Sequence, residues 1–132
     1  MKELTITTER RTQLVEITDE IRNAVNGATA SAILVYVPHT TAGVVINERI
    51  DPELVEDLER AYEQVIDDGW QWKHEDEDGA NAPSHARASL AATPQVLIPL
   101  RDGALALGTY QGVFFCEFDG PRTRKVYVTP LG

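Results

Sequence analysis

Cysteine and histidine are scarce in this 132-residue chain, which has one cysteine, Cys116, and three histidines. A single cysteine excludes an internal disulfide and any cysteine-based zinc site within one chain, and it suits a reducing compartment. Any metal must therefore be held by imidazoles and carboxylates. No apolar run approaches the roughly 18 residues of a membrane span, and the N-terminus, "MKELTITTERR", lacks the apolar stretch of a secretory signal. The expectation is a cytoplasmic protein with no membrane partner. Basic residues are few: 12 against 21 acidic ones, for a formal charge of −9. A globally acidic surface argues against nucleic-acid binding, which needs phosphate neutralisation. It fits either a salt-rich cytoplasm, where net charge keeps proteins dispersed, or an ordinary acidic surface. "GTYQG" (108–112) has no GxGxxG context and no following helix, so a dinucleotide fold is excluded. There is no GxSxG, and adjacent Ser84 and His85 do not make a triad. Repeats, low-complexity tracts and linker-like shifts are also missing, so residues 1–132 read as one domain.

What is present is a mixture of strand and helix patterns. Residues 3–9 alternate weakly and predict an edge strand; residues 12–17 predict a second strand. Thr18 is placed to cap a short helix reaching about Asn26, with Asp19 and Glu20 in its first turn and Gly27 just past its end. "SAILVYV" (31–37) is a strand ended by Pro38, and residues 43–47 are another. Residues 52–67 give the clearest helix, with Asp51 as its cap, Pro52 at its first position and apolar residues at 3–4 spacing. Residues 68–94 are polar and loop-like, with a possible short helix over "SHARASLAA" capped by Ser84; a long ordered loop is usually functional. Strand signals follow at 95–100, 105–119 and 125–129, with turns at "RDGA" (101–104) and "GPR" (120–122). The class is α+β, with helices packed on an antiparallel sheet or sandwich.

The candidate chemistry lies at element ends. His39, His74 and His85 each fall in a loop or at a terminus. Imidazole is the usual ligand for zinc and related ions, and catalytic zinc commonly keeps three protein ligands and one open position. Their loose spacing matches no standard motif. Thr40 and Thr41 follow His39, and Asn47 and Glu48 end the next strand. Glu48 is either a solvated tip or a site carboxylate that serves as general base. In "EFDGPR" (117–122), Glu117 and Asp119 share a face with Val113 and Phe115, while Phe114, Cys116 and Phe118 form the core face. Cys116 thus reads as a small buried hydrophobe. Arg122 either pairs with Asp119 in a tight turn or awaits a phosphate or carboxylate. Gln111, between Gly108 and Gly112, is an amide donor candidate for the same site. Trp70 and Trp72 read as a packing or interface pair.

Three stretches resemble the YjbQ-like family of small proteins: "PHTTAGVVINE", "DGAN…SHARASL" and "GALALGTYQGVFFCEFDGPRTRKV". The resemblance spans nearly the whole chain with motifs in one order. It departs at Tyr110, where the family usually has Trp, and at "AATPQ" (91–95), where a Gly-Pro-Ser-like turn is common. The resemblance implies an antiparallel β-sandwich with two main helices packed on it, assembled as a homotrimer. It matches His39, His74 and His85 to a metal-binding set, with zinc the expected divalent ion and magnesium the other choice. Glu48, Gln111, Glu117, Asp119 and Arg122 match its polar motif positions. Members are called secondary thiamine-phosphate synthases, so the implied function is a weak, metal-dependent transferase. It would join hydroxymethylpyrimidine diphosphate to thiazole phosphate. Glu48, Asp119 and Arg122 are then the candidate catalytic residues, and Thr40, Thr41, Asn47, Gln111 and Glu117 would bind a small phosphorylated metabolite. The alternatives are a metal-dependent phosphoester hydrolase built from the same parts, or a non-catalytic trimer that binds a metal or anionic metabolite.

Overall fold

The computed structural model describes residues 1–75 and 80–132. In chain order the elements are β1 (Lys2–Thr7), β2 (Gln13–Glu16), α1 (Thr18–Ala24), β3 (Ala32–Tyr36), β4 (Ala42–Glu48), α2 (Pro52–Val65), α3 (Ala82–Ala91), β5 (Gln95–Arg101), β6 (Ala104–Leu105), β7 (Gln111–Glu117) and β8 (Thr123–Leu131). One sheet runs β1-β8-β3-β5-β6 and the other β2-β7-β4, with every pairing antiparallel. The fold is α+β with antiparallel sheets, and the described residues carry three helices, the two main ones expected and a third where the sequence offered a short helix over "SHARASLAA". The third, α3, lies inside the stretch read as mostly loop. Its apolar residues are mostly alanines spread around the helix, so it packs through Ala88 and Ala91 rather than a marked apolar stripe.

The two sheets face each other across one core. Ile33, Val35, Val126 and Val128 come from the larger sheet, and Val44, Val113 and Phe115 from the smaller. Ile17, Ile21 and Val25, on and beside α1, complete this cluster. The other side of β7 is also covered. Phe114, Cys116 and Phe118 pack with Leu58 and Tyr62 of α2 and Ala88 and Ala91 of α3. Both faces of β7 are therefore buried, which is why its sequence reads as a nearly unbroken apolar run.

Among the described residues, no helix packs on the outer face of the larger sheet. Register places Leu34 beside Leu97, Tyr36 beside Tyr127, and Ala32 between Pro99 and Leu131. Leu97 is 61% exposed. α3 meets the smaller sheet closely at Gly43, where a Cβ would stand 2.8 Å from both the Ala92 Cβ and the Thr93 carbonyl. Val44 and Thr93 bond reciprocally through their backbones at that contact.

Several local readings hold and others shift. Asp51 accepts from the Glu53 N–H at 2.9 Å, capping α2 as expected. Asp102 and Gly103 both take positive φ in the Arg101–Ala104 turn, the conformation that Asp-Gly favours. Thr18 does not cap α1. Its hydroxyl accepts from the Val113 N–H at 2.8 Å, tying α1 to β7. Ser84 lies inside α3 and donates to the Phe118 carbonyl at 2.6 Å. α1 stops at Ala24, α2 at Val65, and the 105–119 stretch divides into β6 and β7.

Candidate functional site

Polar groups gather where β3 leaves its sheet, β7 ends, β8 begins and α3 starts. The anchor is an ion pair in the interior. Glu117 is fully buried and Arg124 is 6% exposed. The Arg124 guanidinium grips both Glu117 oxygens, and Nε donates to Oε1 at 2.9 Å. It also donates to the Thr41 hydroxyl at 2.8 Å. The Thr8 hydroxyl and the Asp119 N–H donate to the same carboxylate, at 2.8 and 3.1 Å. Glu117 and Thr41, read as substrate-binding candidates, are thus drawn inward and hold the walls of the site. The Glu117 face of β7 is inside the molecule because the larger sheet covers it.

Above this anchor lies a polar cleft of about 310 Å³, bordered by His39, Thr40, Asn81, His85, Asp119 and Arg122, with Arg124 beneath. Arg122 donates from Nε to the Asp119 carbonyl at 2.8 Å and from its terminal nitrogen to Asp119 Oδ2 at 2.9 Å. The turn-stabilising pair weighed from sequence is therefore present, and it borders the cleft. Asn81 Nδ2 donates to the same Oδ2 at 3.0 Å. His39 Nε2 accepts from the Lys125 N–H at 2.9 Å. Burial first, and then the Arg124 charge, lower the His39 pKa from its usual value. The ring is accordingly neutral near pH 7, with its lone pair engaged at Nε2 and its proton on Nδ1.

A second cleft, of about 540 Å³, adjoins the first and shares His39, Thr40 and His85 with it. Ala42, Ala88, Ala92 and Pro94 form most of its apolar wall. His74 packs on His85 with ring centroids 5.0 Å apart at 85°. Two imidazoles on one tetrahedral zinc, with Zn–N near 2.0–2.1 Å, would place their centroids about 5 Å apart, which is the separation of this pair. The same separation suits an edge-to-face contact. His39 fits less well, since ligation would require it to surrender the Lys125 bond. Among the described residues, no group of three or more His, Cys, Asp or Glu side chains is placed to hold a metal ion. Part of the polar stretch read as a functional loop, residues 76–79, lies outside the described residues.

The remaining candidates sit elsewhere. Glu48 pairs in register with Gln111, whereas Ala42 pairs with Glu117 at the other end of β4. That separation is about 20 Å along the strand. The Asn47 side chain accepts from the Glu48 N–H, and Gln111 Oε1 accepts from the Gly108 N–H, closing its own turn. Cys116 is fully buried, and burial pushes its thiol up to about 12, so it packs rather than reacts. The Trp70 and Trp72 rings lie 5.7 Å apart, and the Trp72 indole donates to the Asp67 carbonyl. Sequence reasoning missed Asn81 and Arg124. Arg124 was detectable in "RTRK", because Arg122 and Arg124 fall on one face of a strand. Asn81 carried no local signal beyond its place before a helix.

The comparisons with known proteins agree on the whole chain. The family model "UPF0047 protein YjbQ-like" matches residues 2–132. The chain is 40% identical to the UPF0047 protein YugU of Bacillus subtilis, over 100% of this chain and 99% of that one. It is 42% identical to a UPF0047 protein of Archaeoglobus fulgidus, over 98% and 99%. An uncharacterised conserved protein from Clostridium acetobutylicum superposes with TM-score 0.90 at 37% identity, covering 99% of this chain and 100% of that one. A hypothetical protein from Aeropyrum pernix K1 gives 0.89 at 35% identity, covering 99% and 97%. On sequence and fold together, this chain belongs to the YjbQ (UPF0047) family.

Proposed function

We propose that the polar cleft binds a small phosphorylated metabolite and acts on it beside a divalent cation held by His74 and His85. The supporting observation is the meeting of Arg122, the His39 Nδ1–H and the His85 ring around one 310 Å³ cleft. These are donors suited to phosphate oxygens. In the fuller reading the reaction is weak thiamine-phosphate synthesis. The thiazole nitrogen bonds to the pyrimidine methylene carbon, the C–O bond to diphosphate breaks, and diphosphate leaves with the electron pair. A zinc or magnesium ion would supply charge neutralisation to the departing group. This chain's part is to orient the diphosphate through Arg122 and to hold that arginine through Asp119. For Glu48 to act as a base at this cleft it must come from another copy, so the reading includes a homotrimer. A second reading, a non-catalytic binder of a metal or anionic metabolite, is favoured by the remoteness of Glu48 within one chain.

The test is metal analysis of the purified protein, together with thiamine phosphate formation from both substrates, with and without chelator. His85→Ala is expected to lose the metal and Arg122→Ala to lose about 10²-fold in rate. Metal retained in both His74→Ala and His85→Ala removes the metal site. Phosphate-ligand binding with no turnover selects the binding-protein reading.

A further inference from the structure

Among the described residues bordering the polar cleft, only Asn81 keeps a buried side-chain polar atom without a hydrogen-bond partner. We infer that this atom, the carboxamide oxygen Oδ1, is the third protein ligand of the cation held by His74 and His85, and that His39 is not. The inference rests on the metal reading above and departs from the three-histidine set that the family resemblance implies.

Asn81 is the N-cap residue of α3, yet its side chain makes no capping bond. Its Nδ2 donates to Asp119 Oδ2 at 3.0 Å. A carboxylate accepts but cannot donate, so this bond identifies which end of the carboxamide is nitrogen. Oδ1 is left as an acceptor sealed from bulk water, on a residue 9% exposed. Buried acceptors are ordinarily satisfied, and an Asn at an N-cap ordinarily spends its oxygen on the helix. Here the helix forgoes that bond. Asn81 precedes His85 by four residues, the spacing that sets side chains above one another on a helix, and both border the cleft. A carbonyl oxygen repels an anion and is completed by a cation.

His39 is committed elsewhere. The pairing of β3 with β8 ends at Tyr36 and Tyr127. The His39 ring takes the next β8 N–H on that side, that of Lys125, in place of a strand carbonyl. Ligation through Nε2 would orphan this N–H. Ligation through Nδ1 would move the ring proton to Nε2, against the same N–H. His74 and His85 are thus one short of the three protein ligands common at catalytic zinc. Among the described residues, no His, Cys, Asp or Glu side chain joins them to make three. Two imidazoles and a neutral oxygen suit a zinc-like ion better than magnesium, which takes oxygen ligands.

Chelator competition for zinc, on the full chain stripped of metal and reloaded, tests this. Asn81→Ala should bind zinc at least about 10-fold more weakly than the parent, and His39→Ala within about threefold of it. Asn81→Asp keeps an oxygen at the position but cannot donate to Asp119, so it should retain zinc. A residue that serves only through Nδ2 would lose zinc equally in both Asn81 variants. In the parent itself, zinc should shift the NMR signals of the Asn81 carboxamide together with those of the His85 ring. Carboxamide signals unmoved by zinc, unchanged affinity in Asn81→Ala, equal loss in the two Asn81 variants, or loss of zinc in His39→Ala overturns the inference and leaves the His74 and His85 reading standing. No zinc binding by the parent removes that reading itself.

Discussion

Arg124 shows how a charged side chain becomes part of the interior. It replaces the water that Glu117 loses, and the Thr8 hydroxyl and Asp119 N–H complete the shell. Removing one partner leaves an uncompensated buried charge. Arg124→Ala should therefore lower unfolding free energy by about 3–5 kcal/mol in denaturant titration, while joint replacement by Met and Leu at 124 and 117 should recover most of that loss. The residue types of the site were legible, because polar groups interrupting apolar strands have few structural excuses. Their partners were not. Thr18 and Ser84 both look like caps in sequence, yet each spends its hydroxyl on β7 or the residue just after it. A hydroxyl near a helix start has two competing uses, and tertiary contact decides between them.

α3 is the element that sequence described least well, and the structure explains how it is held. Arg87 is fully buried, and it donates to the carbonyls of Tyr62, Glu63 and Ile66 at the end of α2, and to Asp68. α2 has no basic residue in its own last turn, so its orphan carbonyls are satisfied from the neighbouring helix. Arg87→Lys should not restore this contact, since one ammonium cannot span the spread of acceptors. It should lower the melting temperature almost as far as Arg87→Ala. Asp68 supplies a pH signature. Its hydrogen bonds with Arg11 come first among the causes that hold its pKa at about 2, below the usual 3.8. A depressed carboxylate stabilises the fold above its unfolded pKa and loses that contribution as pH falls through the folded value. Asp68→Asn should thus be less stable than the parent at pH 7, by under about 1 kcal/mol because the side chain is half-exposed. In thermal melts the difference should close between roughly pH 4 and pH 2. Helix α2 was readable because its cap, proline and apolar face agree. α3 was not, since what fixes it is one arginine whose partners lie about 20 residues away in the chain, beyond any local pattern.

At the scale of the molecule, the helices cover one side and leave the outer face of the larger sheet bare. Leu34, Tyr36, Leu97, Pro99, Tyr127 and Leu131 form an apolar patch on it, flanked by Gln95, Arg101 and the Lys125–Glu3 ion pair, in a chain carrying −9 overall. In the homotrimer reading this face is where copies meet, and Leu97→Glu should shift sedimentation toward monomer without lowering the melting temperature of the monomer. A persistent trimer in that variant would place the contact elsewhere. The α+β class could be anticipated from alternation and turn residues, but the pairing of strands could not, since β8 lies between β1 and β3 and β7 between β2 and β4, far from them in the chain. The bareness of one face could not, because alternation says which residues share a side and not which side receives a helix. The apolar part of that face also carries a thermodynamic consequence. Copies of equal sign repel one another everywhere except across it, so added electrolyte should favour their union. A protein of this build would associate more tightly in concentrated brine than in dilute buffer, the reverse of an assembly held by ion pairs.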